Sequence, residues 1–270
     1  MNLLEKKMVA LLLDLKEHHH CSGVKMEFEA EGTRLEEAMR LKEISLRAGL
    51  TMTVKIGGCE AVRDMFEVGS LGAEYLVAPM VESAYALHKY LGAVKVAFEE
   101  EVRHGMEYLI NLETTTACKN FDEMLALEEI HELQGIVLGR VDLTGSMGLG
   151  RDAVNSREVL DVCVTMAGKA KAKGLTVVVG GGVSVHSIPF FRAFPKAHID
   201  RFETRKVVFR CPEALENQEE AFLKAVDFEI SWLENKKNHY GSIHREDDQR
   251  LDMMRDRYQR AIVAIRARGG

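Results

Sequence analysis

Between Val24 and Phe209 the sequence alternates short β-type runs with longer segments of helical spacing, and that order leaves few folds open. Val24–Glu31 alternates strictly: Val24, Met26, Phe28 and Ala30 face one way, Lys25, Glu27, Glu29 and Glu31 the other. A helical segment, Thr33–Gly49, follows, then a strand at Thr51–Gly58, a helix at Glu60–Leu71 and a strand at Glu74–Met80. A helix begins at Ser83–Leu91, and two strands, Tyr108–Glu113 and Gly135–Asp142, flank helically spaced Met124, Leu125, Leu127, Ile130 and Leu133. The long helix Ser156–Gly174, the valine-rich strand Thr176–Gly180, a short helix near Ile188–Phe194 and a strand at Arg201–Phe209 complete the series. Strands alternating with helices predict a parallel sheet covered by helices.

Seven strands are assigned in this way, whereas a closed (β/α)8 TIM-type barrel has eight. The eighth is sought in Met8–Leu13 or in Lys95–Glu99, and a doubly wound sheet is the competing fold. Strand polarity favours the barrel. Lys25, Glu27, Glu29, Lys55, Asn111, Glu113, Glu203 and Arg205 each alternate with apolar neighbours. So many polar groups aimed inward from four strands are costly unless they pair or line a wet cavity. An ion-pair network at the barrel floor is the alternative to a site.

Helical patterning also covers Leu3–Glu17 and, from Pro212, most of the remaining chain, with Asn238–His244 read as a linker. The chain thus divides into a barrel, 1–212, and extra C-terminal helices, 213–270, that pack on the barrel or on a partner subunit. A net charge of −6 argues against a nucleic-acid surface. No apolar run is long enough to span a bilayer and no leader is evident, so a cytoplasmic protein is expected. The scattered cysteines Cys21, Cys59, Cys118, Cys163 and Cys211 form no Cys-x-x-Cys pair and read as reduced thiols. His18-His-His20 reads as a solvated helix end in preference to a metal site.

Glu113 and Asp142 each close an apolar run, at the strand ends where barrels carry function. Two carboxylates meeting there suit one hard cation, Mg²⁺ or Mn²⁺, completed by waters and substrate oxygens. No histidine lies near either acid in sequence, which weighs against zinc. The segment Leu143–Gly148 offers small residues and backbone amides that could receive a substrate carboxylate. A 2-oxo acid held there would have its enolate stabilised by the metal as a Lewis acid.

Three blocks carry a resemblance: Gly72-Ala-Glu-Tyr-Leu-Val-Ala-Pro-Met-Val81, Asn111-Leu-Glu-Thr114 and Leu138-Gly-Arg-Val-Asp-Leu-Thr-Gly-Ser-Met-Gly148. Over roughly Lys55 to Gly150 the sequence resembles the HpcH/HpaI aldolase and citrate lyase β-subunit family. The resemblance implies a (β/α)8 barrel, a divalent metal on Glu113 and Asp142, and reversible carbon–carbon cleavage, or condensation, through the enolate of a 2-oxo acid such as pyruvate or oxaloacetate. It places Asn111 beside the oxo acid and the backbone of Val141 and Asp142 at its carboxylate. It also implies oligomer contacts through the C-terminal helices, hence a homo-oligomer.

The departures from the family are local. Its aldolases carry an Asp-x-Glu-His signature with an acid/base histidine; the nearest stretch here is Glu29-Ala-Glu-Gly32, which puts Gly32 at the histidine position. Acid/base work would then fall to Glu29, Glu31 or a metal-held hydroxide. Lys55 stands where the family has an enolate-stabilising arginine; it supplies charge without the bidentate fork. A Lys55 Schiff base is a second possibility. Arg140 replaces a proline and would meet a second anionic group. Arg205 and Lys206 would bind a phosphate, phosphonate or sugar acid, or else pair with Glu203 and Glu27. Gly180-Gly-Gly182 is a weak candidate for a phosphate loop. Citrate-lyase-like chemistry on an acyl-CoA and a non-catalytic barrel that binds metal and oxo acid remain the rival readings.

Overall fold

The computed structural model describes residues 1–216 and 218–268. Eight strands close in sequence order into one barrel: β1 Cys21–Glu27, β2 Thr51–Lys55, β3 Tyr75–Ala78, β4 Glu107–Leu112, β5 Gly135–Gly139, β6 Thr176–Gly180, β7 Arg201–Glu203 and β8 Val207–Arg210. The helices are α1 Leu3–His19, α2 Leu35–Ala48, α3 Val62–Leu71, α4 Ala84–Ala97, α5 Glu100–His104, α6 Thr115–Leu125, α7 Arg140–Ser146, α8 Arg157–Ala172, α9 Ile188–Arg192 and α10 Gln218–Arg268. The barrel is of the TIM type with one reversed strand: β1 to β7 pair in parallel, while β8 runs antiparallel to both β7 and β1.

The reversed strand is the eighth one, and neither segment proposed from the sequence supplies it. Met8–Leu13 lies inside α1, and Lys95–Glu99 spans the end of α4 and the turn after it. The nine-residue run Arg201–Phe209 instead folds back on itself. Thr204 N–H donates to the Val207 carbonyl at 2.9 Å, and Phe202 pairs with Phe209 with ring centroids 5.1 Å apart. An alternating run with no glycine or proline reads as one strand; here aromatic pairing across a tight turn makes two of it.

Alternation sets the two faces of the barrel wall. Val24, Met26, Met52, Val54, Leu76, Ile110, Leu112, Ile136, Leu138, Val177 and Val179 are buried against the helices. Each such side chain contributes roughly 1.5–3 kcal/mol on leaving water. Inside, Val77, Leu109, Val137 and Val178 form a separate apolar plug. The layer above the plug is polar, and the strand ends open over it. The inward positions therefore divide by height into a packed floor and a charged upper chamber.

Several predicted boundaries shift. The alternation of Val24–Glu31 outlasts its strand, because β1 ends at Glu27 and the chain turns away over Phe28–Gly32. The predicted linker Asn238–His244 is helical, and α10 is one continuous helix. Its first half packs antiparallel to α1, tied by Lys7–Asp227 at 2.5 Å and Asn2–Asn235 at 2.6 Å, and it reaches α2 through Tyr240–Glu37 at 2.6 Å. No described helix is long and apolar enough to cross a membrane. All five cysteines are free.

Candidate active site

At the carboxyl ends of the strands lies a cavity of about 800 Å³, lined among others by Lys25, Glu27, Lys55, Asn111, Glu113 and Asp142. Glu113 follows β4 directly and is 2 % exposed. Its Oε1 accepts the Met80 N–H at 3.0 Å and its Oε2 accepts the Asn111 amide at 2.7 Å. Met80 holds a left-handed backbone, φ 51°, to present that N–H, a conformation costly for a non-glycine residue and typical of a constrained site. Burial pushes the Glu113 carboxyl up; Lys55 and the two hydrogen bonds pull it back, and the charge of Asp142 adds to the rise. Glu113 is thus a desolvated acid poised beside a second acid.

Asp142 does not end a strand. Strand β5 stops at Gly139, and Asp142 sits exposed in the first turn of α7, where a helix end favours a negative charge. Gly139 is the residue that makes room for the Glu113 side chain. A Cβ there would lie 2.6 Å from Glu113 Oε2 and 2.8 Å from Glu113 Cβ. Gly181, with φ +77°, lies against the start of α7: a Cβ on it would be 2.7 Å from the backbone nitrogens of Arg140 and Val141. The glycine run after β6 therefore has a packing reason, the close approach of two backbones.

Asn111 is 4 % exposed, and its Oδ1 is buried with no hydrogen-bond partner. An unpaired buried oxygen costs free energy unless something at the site completes it. Together with Glu113 and Asp142 this makes an all-oxygen donor set on one wall of the cavity, which fits a hard divalent cation. Among the described residues no group of three or more His, Cys, Asp or Glu side chains is arranged to hold a metal. A cation here would therefore keep several positions for water or substrate, the habit of Mg²⁺ and Mn²⁺.

Opposite stands a chain of alternating charges. Lys25 lies between Glu203, to which it donates, and Glu27 at 3.0 Å; Lys55 stands 3.7 Å from the far oxygen of Glu27. Burial works against the Lys25 charge, but Glu203 and Glu27 outweigh it and hold the ammonium above its ordinary value. Burial likewise pushes Glu27 up, while Lys25 and Lys55 overcome that and keep it below the usual carboxylate range. Glu27 is thereby a carboxylate facing the cavity.

The remaining residues singled out in the sequence divide. Lys55, Asn111, Glu113, Val141, Asp142 and Arg205 line the cavity; Glu29, Glu31, Arg140 and Lys206 do not. Glu29 is exposed beyond the end of β1. Glu31 is held by Lys206 and by Arg205 at 3.8 Å. Lys206 is buried against Trp232, and burial lowers its ammonium although Glu31 opposes the shift. Arg140 is corrected most: it is 0 % exposed and spends its guanidinium on the carbonyls of Gly180, Val154 and Gly181, on Asn155 and on Ser187. Its plane stacks on Phe190 and Phe191, and with no carboxylate beside it burial brings its pKa down to about 10. It ties α7 to the glycine run after β6.

Arg151 and Glu229, which carry no signal in the sequence, also line the mouth. Glu229, on α10, accepts from Thr204 and from the Lys206 N–H, both at 3.2 Å, and burial raises its carboxyl. Only the packing of α10 along the barrel brings it there.

A family model for HpcH/HpaI aldolase/citrate lyase matches residues 41–182. Three solved structures share the fold. An HpcH/HpaI aldolase from Desulfitobacterium hafniense DCB-2 aligns over 76% of this chain and 83% of its own, at 14% identity and a TM-score of 0.58. A family protein from Burkholderia cenocepacia J2315 aligns over 89% and 90%, at 13% identity and 0.58. The citrate synthase SbnG aligns over 69% and 78%, at 16% identity and 0.56. No curated protein matches the chain.

Proposed function

Because this chain belongs to the HpcH/HpaI aldolase/citrate lyase family, we propose that it is a divalent-metal-dependent carbon–carbon lyase, or condensing synthase, acting on the enolate of a 2-oxo acid such as pyruvate or oxaloacetate. The observation that carries this reading is that Glu113, Asp142 and Asn111, whose buried Oδ1 has no partner, line one cavity together with Lys55 and Glu27. Glu113 and Asp142 would hold Mg²⁺ or Mn²⁺, with Asn111 beside them. A bound divalent cation supplies Lewis-acid stabilisation of the developing enolate oxygen.

The chain's own residues do the rest. Lys55 places a positive charge beside the ketone and carboxylate of the oxo acid. The backbone at Val141 and Asp142 receives the carboxylate. Glu27 takes over the proton-transfer role expected of Glu29 or Glu31: it lines the cavity, and Lys25 and Lys55 beside it favour its charged form. Arg205, at the hairpin turn, meets an anionic group on the second substrate. The plug of Val77, Leu109, Val137 and Val178 closes the chamber from below and keeps it dry at its base.

The test is exchange of the methyl protons of pyruvate into deuterated water, followed by NMR. The wild type with Mg²⁺ is expected to exchange; EDTA, Glu113→Gln and Asp142→Asn abolish it. Exchange that persists undiminished in EDTA overturns the metal mechanism. Borohydride trapping of pyruvate on Lys55 would replace it with the imine route.

A further inference from the structure

The cavity at the strand ends, about 800 Å³, is far larger than a 2-oxo acid needs. Pyruvate is a three-carbon acid, whereas pockets of about 300–1,000 Å³ hold drug-sized ligands. Glu113, Asp142, Asn111 and Lys55 account for the oxo acid, so the rest of the lining describes the second substrate.

Much of that remainder is apolar. Val183 and Val185 line it after the glycine run, and Phe222, Leu223, Ala225 and Val226 line it from α10. The two groups adjoin, because α10 packs against the turn Val185–Ser187. They also reach the oxo-acid end: a Cβ on Gly182 would lie 3.5 Å from Val141 Cγ2, next in the chain to Asp142. Buried Phe222 fixes α10 in place by stacking on Phe202, with ring centroids 6.0 Å apart. Leu223 and Val226, three residues apart and so on one side of the helix, are 72% and 51% exposed. Leucine and valine left in water at a site cost free energy that an apolar ligand recovers.

Charge narrows the class. Outside the oxo-acid end and the Lys25–Glu203 pair, the charged lining residues are Arg151, Arg205, Glu219 and Glu229. Arg205 also stands 3.8 Å from Glu31. Two arginines set against two acids suit one anionic group on the ligand, not the several phosphates of a coenzyme A thioester. Valine, leucine and phenylalanine side chains give a sugar-like polyol nothing to hydrogen-bond.

We infer that the second substrate is an aldehyde with a hydrocarbon arm, and that Leu223 and Val226 of α10, continued by Val183 and Val185, form the subsite that holds the arm. This rests on the oxo-acid reading above. In the cleavage direction the carbinol O–H gives its proton to Glu27 as the carbon–carbon bond breaks. The electron pair of that bond stays on the oxo-acid fragment as its enolate, which a proton then converts to the oxo acid. The carbinol carbon leaves as the aldehyde. Condensation is the reverse, and neither direction needs an oxidant or a reductant.

The test gives the full-length protein, with Mg²⁺ and pyruvate, straight-chain aldehydes from propanal to hexanal, and glycolaldehyde as the polar comparison. Condensation product is measured by chromatography. The expected kcat/KM rises about threefold per added methylene, roughly 25-fold across the series, and hexanal exceeds glycolaldehyde. The double variant Leu223→Ala, Val226→Ala should lower the ratio of hexanal to glycolaldehyde about tenfold. Both side chains are exposed, so the fold tolerates their truncation. A series with no dependence on chain length, or a double variant that keeps the wild-type ratio, overturns the inference. Failure of every aldehyde while pyruvate still exchanges its methyl protons overturns the aldehyde and leaves the oxo-acid reading standing. Loss of that exchange in the wild type overturns both.

Discussion

Gly139→Ala should disable the site without removing any functional group. The new Cβ would sit 2.6 Å from Glu113 Oε2 and 2.8 Å from Glu113 Cβ, whereas ordinary contact begins at 3.4 Å, so the carboxylate must retreat by about 0.8 Å. It cannot do so freely, because Met80 N–H at 3.0 Å and the Asn111 amide at 2.7 Å hold it in place. Stretching hydrogen bonds to a charged group and overpacking the strand together cost about 2–4 kcal/mol of stability. A displacement of this size at a reacting centre lowers turnover about 10²-fold. Manganese binding, followed by the loss of the free-ion EPR signal, should weaken at least tenfold, with pyruvate proton exchange falling in step. Gly135→Ala at the other end of β5 is the control, since the atoms nearest its Cβ belong to Thr176 and Leu109. That variant should lose stability yet bind manganese normally once folded. A Gly139→Ala protein that binds manganese and exchanges protons within threefold of wild type would refute the placement of Glu113 as a ligand.

Three other outcomes are expected. Lys25→Met leaves Glu203 buried without its partner and should cost about 3–5 kcal/mol by urea denaturation at pH 7, with a cost below 1 kcal/mol counting against the buried pair. Since the folded state holds Lys25 above its ordinary value, that stabilisation is complete below the unfolded lysine value of about 10.4 and is lost only as pH rises through the folded one, so the gap to wild type should narrow above pH about 11. Glu113 is an acid raised in the fold, so protons compete with metal early: manganese affinity should begin to fall on acidification at a pH above the ordinary glutamate value of about 4.3, and a fall that begins only at that value would contradict its desolvation. Glu27→Gln should lower kcat at least about 10²-fold while Glu29→Gln stays within threefold, and the reverse order would return the proton-transfer role to Glu29.

The sequence by itself determined the class of fold and which strand residues share a face in the candidate site. Alternation at period two fixed that Asn111 and Glu113 share a face, as do Lys25 and Glu27, and that these faces oppose the apolar one, because successive strand side chains point to opposite sides. The strand–helix order then predicted a parallel sheet covered by helices, and strand polarity favoured a barrel over a doubly wound sheet. Period two does not say where a strand stops. It ran on through Glu29 and Glu31, which lie in a turn, and it hid the reversal at Thr204–Lys206, which depends on Phe202 stacking on Phe209 from the other side of the hairpin. Nor does a charge in the sequence announce what will neutralise it. Arg140 looked like an anion receptor and is consumed by carbonyls that only the packing of α7 against the glycine run after β6 brings within reach. The partners of Glu27, the arrival of Glu229 at the mouth and the room that Gly139 leaves for Glu113 are likewise decided by tertiary structure. Each depends on a distance between segments remote in the chain, and no local pattern encodes such a distance.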